Sequence, residues 1–459
     1  MVTKSEPTGS GSGENNIMVT DLSSVNAKIL VEGHKLYTCP DKGLVRIGKE
    51  LNRFFLAPRK KVIILLIGNH SAGKSSFINW YIGERLLKTG VAIETQGFTL
   101  VTSGKKRESL GGVATLHLDH RFSPLEDIRG AVDFLSTEIS TSTKKCFSLV
   151  TFVDTPGLVD GEMHYPYDIE ETINWIGGIA DQIIVFFDPI GQALCRRTLN
   201  TIEELNKKHA EKMRLFLSKA DDAGDEADRQ KVMMQIVQEL CKRPSLNRNG
   251  FSMPAIYLPD NCKPNDCANQ IEVLCSGIED LVTRNVQMAL TNLEKDCKIL
   301  ESELQVHIKA DDDNISHNSS VSKTAAVITT VLFIISASLI LPLMIVRKET
   351  VIREPISGSV FSTLMERFDD ENEKPEEPSV TNKMTTALLF LLLIAYSFYG
   401  YLRAKLGLKP TLAKAKREFL LSSLKFIKET VTNKKRSLFQ EYLQQSIDDP
   451  DLISFRLLD

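Results

Sequence analysis

The chain has 459 residues, enough for one large globular domain and a further part, because single domains usually contain about 50 to 250 residues. Hydrophobic residues make up 42% of the sequence and charged residues 25%, a globular composition that excludes disorder as the dominant state. The net charge of −3 excludes a global attraction to nucleic acid or to an acidic membrane, so we expect no nucleic-acid partner.

The start of the chain predicts a disordered tail rather than a targeting signal. Residues 1–24 are mostly polar, and they lack the apolar run of a signal peptide and the arginine-rich pattern of a transit peptide. We therefore expect the N-terminal part to stay in the cytosol. The eight cysteines form no CxxC pair, which indicates reduced thiols. Residues 25–57 are predicted to form N-terminal helices, because apolar side chains recur every three or four residues.

From Val62 onward, apolar runs alternate with helical stretches. Continuous apolar runs are typical of parallel strands buried on both faces. We therefore predict a domain over residues 58–262, of class α/β, with a doubly wound, mostly parallel sheet. A helix is predicted near residues 124–143. The predicted strands are residues 62–67, 113–118, 149–153, 183–187, 214–217 and 255–258.

A long amphipathic helix follows, over residues 263–323, and we interpret it as a helical stalk or bundle helix. Its apolar stripe is too short for a clean coiled coil, which favours packing against the chain's own N-terminal helix over an intermolecular coiled coil. The stripe consists of Val286, Leu290, Leu293, Cys297, Leu300, Leu304 and Ile308.

Two uncharged apolar stretches, residues 325–346 and 384–402, are long enough for transmembrane helices, since about 20 residues cross a bilayer core. Residues 347–383 between them are predicted to form a hydrophilic loop. The pattern predicts a membrane hairpin, and two buried helices of a soluble protein are the alternative. Basic residues flank both spans, so charge alone does not orient the hairpin.

The last segment, residues 403–459, is predicted to be a basic amphipathic helix. Such a helix can lie in the headgroup layer of a membrane or complete a helical bundle with the other amphipathic helices. The sequence favours neither alternative. Its apolar face consists of Leu420, Leu424, Ile427, Val431, Leu438 and Tyr442.

Residues 68–75, between the first predicted strand and a helix, match the phosphate-loop pattern GxxxxGK[ST]. Glycines let backbone amides curl around phosphates, and the helix N-terminus adds its positive end. Lys74 is expected to reach the outer phosphates and Ser75 to bind Mg²⁺. An incidental turn is the alternative, which the flanking strand and helix disfavour. The predicted nucleotide-binding residues here are Asn69, His70, Ser71, Ala72, Gly73, Lys74, Ser75 and Ser76.

A DTPG motif at residues 154–157 closes the strand predicted at residues 149–153. Asp154 therefore emerges at the carboxyl end of a buried strand, where a carboxylate can hold Mg²⁺ through water. The backbone amide of Gly157 is then expected to contact the γ-phosphate. A plain turn is the alternative, since Asp, Pro and Gly are all favoured in turns.

Residues 218–221, with the sequence SKAD, follow another predicted strand at the place of a base-binding loop. The carboxylate of Asp221 can accept hydrogen bonds from N1 and the exocyclic amine of guanine, and adenine offers no such pair of donors. Together with Lys219, it predicts GTP as the substrate. A surface loop with a salt-bridged lysine is the alternative interpretation.

Thr95 lies between the first helix of the domain and the next strand, where a loop can fold over the phosphates. We predict that it is a mobile switch residue that also binds Mg²⁺. Thr99 competes for this role, and an ordinary strand threonine is the third possibility.

Together these motifs resemble the dynamin superfamily, and within it the EH-domain ATPases and other dynamin-like proteins. The stretch NHSAGKSSFIN resembles the family's phosphate loop, DTPGLVDGE its switch, and LSKADD its base motif, within residues 28–260. The resemblance implies that Ser71 helps to stabilise the transition state and that Thr95 positions the attacking water. Leu158 stands where a Ras-like protein carries a water-orienting glutamine. No EH-domain pattern follows, and the two apolar spans are more similar to the arrangement in mitofusins and atlastins.

The resemblance implies a dynamin-like, membrane-anchored GTPase that needs Mg²⁺, dimerises or oligomerises through its nucleotide domain, and drives membrane fusion, fission or shaping. One alternative is a membrane-anchored scaffold or switch with slow hydrolysis. Another is an ATPase, because EH-domain proteins use ATP despite a guanine-type motif. We expect an intracellular membrane, either the endoplasmic reticulum or the mitochondrial outer membrane, with the nucleotide domain in the cytosol. Glycosylation of the sequons at Asn314 and Asn318 would overturn that topology.

Overall fold

The computed structural model describes residues 12–90, 97–160, 165–190, 195–247, 252–259, 267–349 and 380–445. The chain divides into two compact units. The first contains Met1–Leu300 together with Phe426–Asp459, and the second contains Glu301–Lys425.

Within the described residues, the first unit is built on a seven-stranded mixed sheet. Its strands are β1 (Val62–Gly68), β2 (Phe98–Ser103), β3 (Glu108–Gly111), β4 (Leu135–Ser140), β5 (Val150–Asp154), β6 (Gln182–Phe187) and β7 (Met213–Leu217). The helices that connect them are α3 (Lys74–Ile82), α4 (Gly112–Leu118), α5 (Ile169–Ile179), α6 (Arg196–His209) and α7 (Glu226–Cys241).

The strand order is β3-β4-β2-β5-β1-β6-β7. The ladders β5 with β1, β1 with β6, and β6 with β7 are all parallel, whereas β2 is antiparallel to β5. The carboxyl ends of β1, β5, β6 and β7 therefore lie along one edge of the sheet. In a doubly wound fold this edge is where ligands bind.

Strand β1 occupies the interior of this sheet, and all seven of its residues are buried. Alternate side chains of a strand point to opposite faces. Ile63, Leu65 and Ile67 accordingly belong to one apolar cluster, and Val62, Ile64 and Leu66 belong to another. Burial on both faces explains the continuous apolar sequence of the strand.

The first unit also contains a helical bundle. Its helices are α1 (Ser12–Thr38), α2 (Leu44–Glu50), the part of α8 (Ile271–Glu349) up to Leu300, and α11 (Thr432–Gln444). Ile29 of α1, Val286 of α8 and Leu438 of α11 share one apolar cluster with the sheet. Ion pairs connect the two ends of the chain, at 3.0 Å between Lys28 and Glu441 and at 3.4 Å between Lys434 and Glu32. The bundle therefore packs on one face of the sheet.

The second unit contains the rest of α8, helix α9 (Val380–Leu406) and most of α10 (Lys414–Phe426). A π-helical turn, Ile427–Val431, connects α10 to α11. Among the described residues, one helix is long and apolar enough to cross a membrane by length and composition, within Ile271–Ser338, and the apolar stretch concerned is not buried within the protein. The apolar stretch Phe390–Arg403 of α9 is shorter. The second predicted transmembrane helix, residues 384–402, is therefore not confirmed.

Several local predictions about the sheet are wrong. Residues 113–118 form helix α4, and residues 124–143 contain short 3₁₀ turns followed by β4 instead of a helix. A short apolar run such as VATLHL does not distinguish strand from helix, which explains the first error. Strands β2, β3 and β4 escaped prediction because serine, threonine and glutamate interrupt their apolar character. Of residues 255–258, only Ala255 pairs, in a single bridge to Leu217.

The structure also revises the predicted helical parts. Helix α1 begins at Ser12, inside the predicted tail, since no proline or glycine interrupts residues 14–32. The stalk and the first predicted span form one continuous helix, Ile271–Glu349. The apolar stripe of the predicted stalk is buried within the protein, which agrees with packing inside the chain rather than an intermolecular coiled coil. Much of the apolar face of the C-terminal segment is buried as well. The seven cysteines in the described residues are free thiols.

Candidate nucleotide-binding site

The phosphate loop, Gly68–Ser75, is a tight connection between β1 and α3. Two of its residues turn left-handed, Ser71 with φ 62° and Gly73 with φ 86°. Gly73 is also the N-cap of α3, so the loop leads directly into the helix N-terminus. Positive φ values in successive turns direct backbone amides towards a common centre, which makes the loop suited to an anion.

The side chain of Lys74 is buried inside the loop. Its Nζ donates hydrogen bonds to the carbonyl oxygens of Gly68, at 3.0 Å, and Asn69, at 2.9 Å. Burial lowers the pKa of Lys74 to about 8, and the negative charge of Asp154 opposes this shift. The cation is thus held below the loop by weak partners that a phosphate group can replace.

Ser75 and Asp154 meet where the phosphate loop lies beside the end of β5. The Ser75 Oγ donates a hydrogen bond of 2.5 Å to Oδ2 of Asp154. Asp154 is 1% exposed, and its Oδ1 is buried without a hydrogen-bond partner. Burial raises the pKa of this carboxyl group, against the lowering effects of Lys74 and Ser75. A hydroxyl next to a carboxylate with one unsatisfied oxygen fits the donor set of a hydrated Mg²⁺ ion.

The DTPG segment packs directly against the phosphate loop. A Cβ atom on Gly157 would lie 2.5 Å from Cα of His70 and 2.9 Å from its nitrogen, so only glycine fits. Two backbone hydrogen bonds join the segments, from His70 N to Leu158 O at 3.2 Å and from Leu158 N to Gly68 O at 3.3 Å. Movement of the DTPG segment is therefore coupled to the phosphate loop.

The predicted base-binding loop follows β7 at the same edge of the sheet. Lys219 is left-handed, with φ 51°, and its Nζ donates to Oδ2 of Asp188 at 3.1 Å. Ser218 is anchored through its Oγ to the carbonyl oxygen of Phe187, at 3.1 Å. Asp221 lies in the next short turn, Ala220–Asp222, and is partly exposed. The loop is thus fixed by the ends of β6 and β7, while the carboxylate of Asp221 stays accessible to solvent.

Several of the predicted residues line one cavity of about 180 Å³. These are His70, Ser71, Ala72, Gly73, Lys74, Ser75, Ser76, Gly157 and Lys219. Asn69 is buried below the loop, where its Oδ1 accepts a hydrogen bond from Thr198. Asp154 and Asp221 do not line the cavity; Asp154 reaches it through Ser75. The predicted switch residue Thr95 lies outside the described residues.

The cavity also has contributors that sequence reasoning missed. Lys88, Thr89 and Gly90 form part of its wall. No motif marks them, since they follow α3 in an irregular segment. Asp188, the partner of Lys219, had a usable signal because it directly follows β6 at the ligand-binding edge of the sheet. A larger cavity of about 520 Å³ lies beside β7 and the start of α8, and it contains none of the motif residues, so the chemistry favours the smaller one.

Comparison with known proteins gives a family for this part of the chain. Residues 64–220 match the model of the Dynamin family. EH domain-containing protein 2 of Arabidopsis thaliana is 30% identical over 180 residues, which cover 38% of this chain and 32% of that protein. EH domain-containing protein 3 of Rattus norvegicus is 26% identical over 221 residues, which cover 44% of this chain and 40% of that protein. The chain therefore spans less than half the length of these relatives.

Among solved structures, an oligomerised bacterial dynamin pair is similar with a TM-score of 0.41 and 14% identity, over 98% of this chain and 80% of that one. Toc33 of Arabidopsis thaliana in complex with Mg²⁺ and GMPPNP has a TM-score of 0.30 and 14% identity, over 58% of this chain and 96% of that one. On the match to the family model and the relatives, residues 64–220 lie in a G domain of the dynamin superfamily.

Proposed function

We propose that the chain is a dynamin-like, membrane-anchored GTPase that couples GTP binding and hydrolysis to membrane fusion, fission or shaping. One observation carries the catalytic part of this proposal. Lys74 and Ser75 line a single cavity, and Asp154 is bonded to Ser75 at its margin. These are the groups that a P-loop hydrolase needs for phosphate and Mg²⁺.

Nucleotide binding begins at the phosphate loop. The amides of the left-handed turn and the N-terminus of α3 bind the phosphate oxygens. Lys74 exchanges the carbonyl oxygens of Gly68 and Asn69 for the outer phosphates. That exchange replaces two hydrogen bonds from the ammonium group to neutral carbonyl groups with hydrogen bonds between two oppositely charged groups.

Ser75 and Asp154 would hold Mg²⁺, the first through its hydroxyl and the second through its unsatisfied Oδ1. When bound, the ion neutralises charge on the β- and γ-phosphates. A bound Mg²⁺ ion would also add a second positive charge, besides that of Lys74, next to the buried carboxylate of Asp154.

The attacking water needs a positioning group, and Leu158 offers no hydrogen bond from its apolar side chain. We assign this role to Thr95, which would also contact Mg²⁺. Ser71 would stabilise the transition state from the rim of the loop. Its Oγ is 2.9 Å from Nδ1 of His70, which fixes the hydroxyl near the cavity.

Base recognition would use Lys219 and Asp221. The carboxylate of Asp221 accepts the two N–H groups on the Watson–Crick edge of guanine, which favours GTP over ATP. Lys219 does not need to form an ion pair with the base. Its present partner, Asp188, keeps its stem beside the cavity.

The membrane part of the proposal rests on the second unit. Apolar side chains of α8 and α9 are exposed there, including Phe333 at 73% and Leu391 at 62%. Exposure of a large contiguous apolar surface marks a membrane or protein interface. We assign both helices to an intracellular membrane, either the endoplasmic reticulum or the mitochondrial outer membrane. Homodimers would form through the cytosolic G domains.

Turnover by the full chain in liposomes tests the proposal. We expect Mg²⁺-dependent GTP hydrolysis that Lys74→Ala abolishes and Lys105→Ala, at an exposed lysine remote from the cavity, leaves intact. GTP should also promote dimerisation. If the wild-type protein neither dimerises with GTP nor hydrolyses it, the proposal is wrong, and tight binding without turnover would identify a scaffold instead.

Competition between GTP and ATP tests the base. We expect GTP to win, and we expect Asp221→Asn to lose the preference because its amide presents only one acceptor. Equal competition by ATP, unchanged in Asp221→Asn, would identify an ATPase and remove Asp221 from base recognition.

A further inference from the structure

A row of polar side chains on α8 contacts the segment that follows α9. Asp311, Asn314 and Asn318 are three and four residues apart, so they lie on one face of the helix. Each of them is hydrogen-bonded to a backbone group within residues 409–412. We call these residues, with Arg417, the polar clamp.

The contacts of the clamp are specific. Asn318 exchanges two hydrogen bonds with Lys409, since its Nδ2 donates to the carbonyl oxygen at 2.8 Å and its Oδ1 accepts from the amide at 2.8 Å. Nδ2 of Asn314 donates to the carbonyl oxygen of Pro410 at 3.0 Å. Side-chain amides that pair with backbone in this way fix two segments in one register.

The clamp also contains a buried charge. Asp311 is 3% exposed; its Oδ1 accepts from the amide of Leu412 at 2.7 Å, and its Oδ2 lies 3.3 Å from Nε of Arg417. Nη2 of Arg417 also donates to Asp312 at 2.5 Å. Only the carboxylate of this ion pair is buried, since Arg417 is 38% exposed, and opening the contact would leave the buried charge of Asp311 without its cation.

The clamp lies at the boundary between polar and apolar sequence on both helices. Along α8, Asn318 precedes the apolar stretch that begins at Ala325 by about 10 Å of helix. Along α9, exposed Tyr396, Tyr399 and Tyr401 come just before the clamp, and exposed basic residues follow them. Tyrosines followed by lysine and arginine are typical of a membrane–water interface.

Asn314 and Asn318 are also the acceptor positions of two glycosylation sequons. A glycan would be attached through Nδ2. In this structure both Nδ2 atoms are already used as donors to backbone carbonyl groups. A glycan would replace one of the two N–H groups of Nδ2, and its bulk at this contact would separate the two segments of the clamp.

We propose that the polar clamp closes the base of a membrane hairpin. It holds the polar residues before the apolar stretch of α8 and the C-terminal end of α9 on the same, non-glycosylated face of the membrane. Asn314 and Asn318 then serve the clamp rather than a glycan. This inference rests on the proposed membrane anchoring. It assigns an orientation to the hairpin in the membrane, which the flanking charges alone do not. The clamp also gives a reason for the burial of Asp311, which precedes the apolar stretch within α8.

Translation of the full chain into microsomes tests the topology. Wild-type protein should remain unglycosylated, and Phe361→Asn, which completes an N-S-T sequon between the two apolar stretches, should acquire one glycan removable by endoglycosidase. A wild-type glycan that disappears in the double substitution Asn314→Gln, Asn318→Gln would overturn the proposal. So would an unmodified Phe361→Asn protein that resists carbonate extraction, since its loop has then not crossed the membrane. Complete release of the wild-type protein by carbonate would instead refute the membrane anchoring itself.

Hydrogen exchange on the full chain in liposomes tests the clamp. Asp311→Ala should speed exchange of the Leu412 amide by about tenfold or more, because that amide loses the carboxylate acceptor that protects it. Asn318→Ala should do the same for Lys409. Asp313→Ala, at an exposed neighbouring position, is the matched control and should change neither amide. Unchanged exchange in both clamp variants would refute the clamp.

Discussion

Asp154→Asn separates the proposed Mg²⁺ role of this carboxylate from its structural role. Asp154 is almost fully buried, one of its oxygens accepts from Ser75, and the other has no hydrogen-bond partner. Burial raises the pKa of the group, which means that the ionised form is costly in the nucleotide-free protein. The neutral amide has almost the same shape and removes that cost, although its NH₂ group lacks a ready acceptor.

These two effects oppose each other in the free energy of unfolding. A buried unsatisfied donor costs about 1–3 kcal/mol, and a buried carboxylate with an unsatisfied oxygen costs at least as much. We therefore expect the free energy of unfolding to fall by no more than about 1 kcal/mol. The effect on Mg²⁺ is not compensated in this way. Loss of a group that orients the metal's shell typically reduces metal affinity or activity by about 10- to 100-fold.

The assay is GTP turnover at increasing Mg²⁺ concentration, with chemical unfolding of the nucleotide-free protein measured in parallel. Asp154→Asn should need about 10- to 100-fold more Mg²⁺ for half-maximal turnover, and Asp127→Asn, at an exposed carboxylate, should need no more than wild type. A wild-type Mg²⁺ requirement in Asp154→Asn would refute the assignment. A large loss of stability would show that the carboxylate is structural instead.

Two further predictions concern the same cavity, and a third concerns the N-terminus of α6. Gly157→Ala should reduce turnover at least about tenfold, because its Cβ would lie 2.5 Å from Cα of His70, whereas Gly111→Ala, with open space around it, should leave turnover unchanged. Since burial lowers the pKa of Lys74 to about 8, the nucleotide-free protein loses this cation as the pH rises. GTP affinity, measured by titration, should therefore fall about fivefold between pH 8 and pH 9, and a flat profile would contradict the role of Lys74. Asp160→Ala removes hydrogen bonds that its carboxylate accepts at the N-terminus of α6, so thermal unfolding should show a loss of about 0.5–2 kcal/mol that Asp160→Asn partly restores.

Sequence alone predicted the parts of the site that carry local signatures. The phosphate loop and the DTPG segment each follow a buried apolar strand, and both motifs have steric requirements that only certain residues meet. Gly73 needs a left-handed backbone, and Gly157 needs space that a side chain would fill. Requirements of this kind are written into a few adjacent positions, so they can be read without the fold.

The rest depended on contacts between distant segments. Strand β2 pairs antiparallel with β5, and its polar residues Thr99 and Thr102 are satisfied by neighbouring strands rather than by solvent. No periodicity in residues 98–103 signals that arrangement. The same holds for Asp188, whose relation to Lys219 exists only because β6 and β7 are adjacent.

The continuity of the helical bundle has a consequence for biosynthesis. Helix α1 leaves the ribosome before α8 and α9, whereas its partners Leu438 and Glu441 in α11 leave it after them. The apolar helices α8 and α9 are synthesised between them. Closure of the bundle must therefore wait until both apolar helices have emerged, so any insertion machinery meets them before the native bundle can form. A ribosome that stalls before Leu438 would present a chain whose sheet can fold but whose α1 still lacks its contacts with α11.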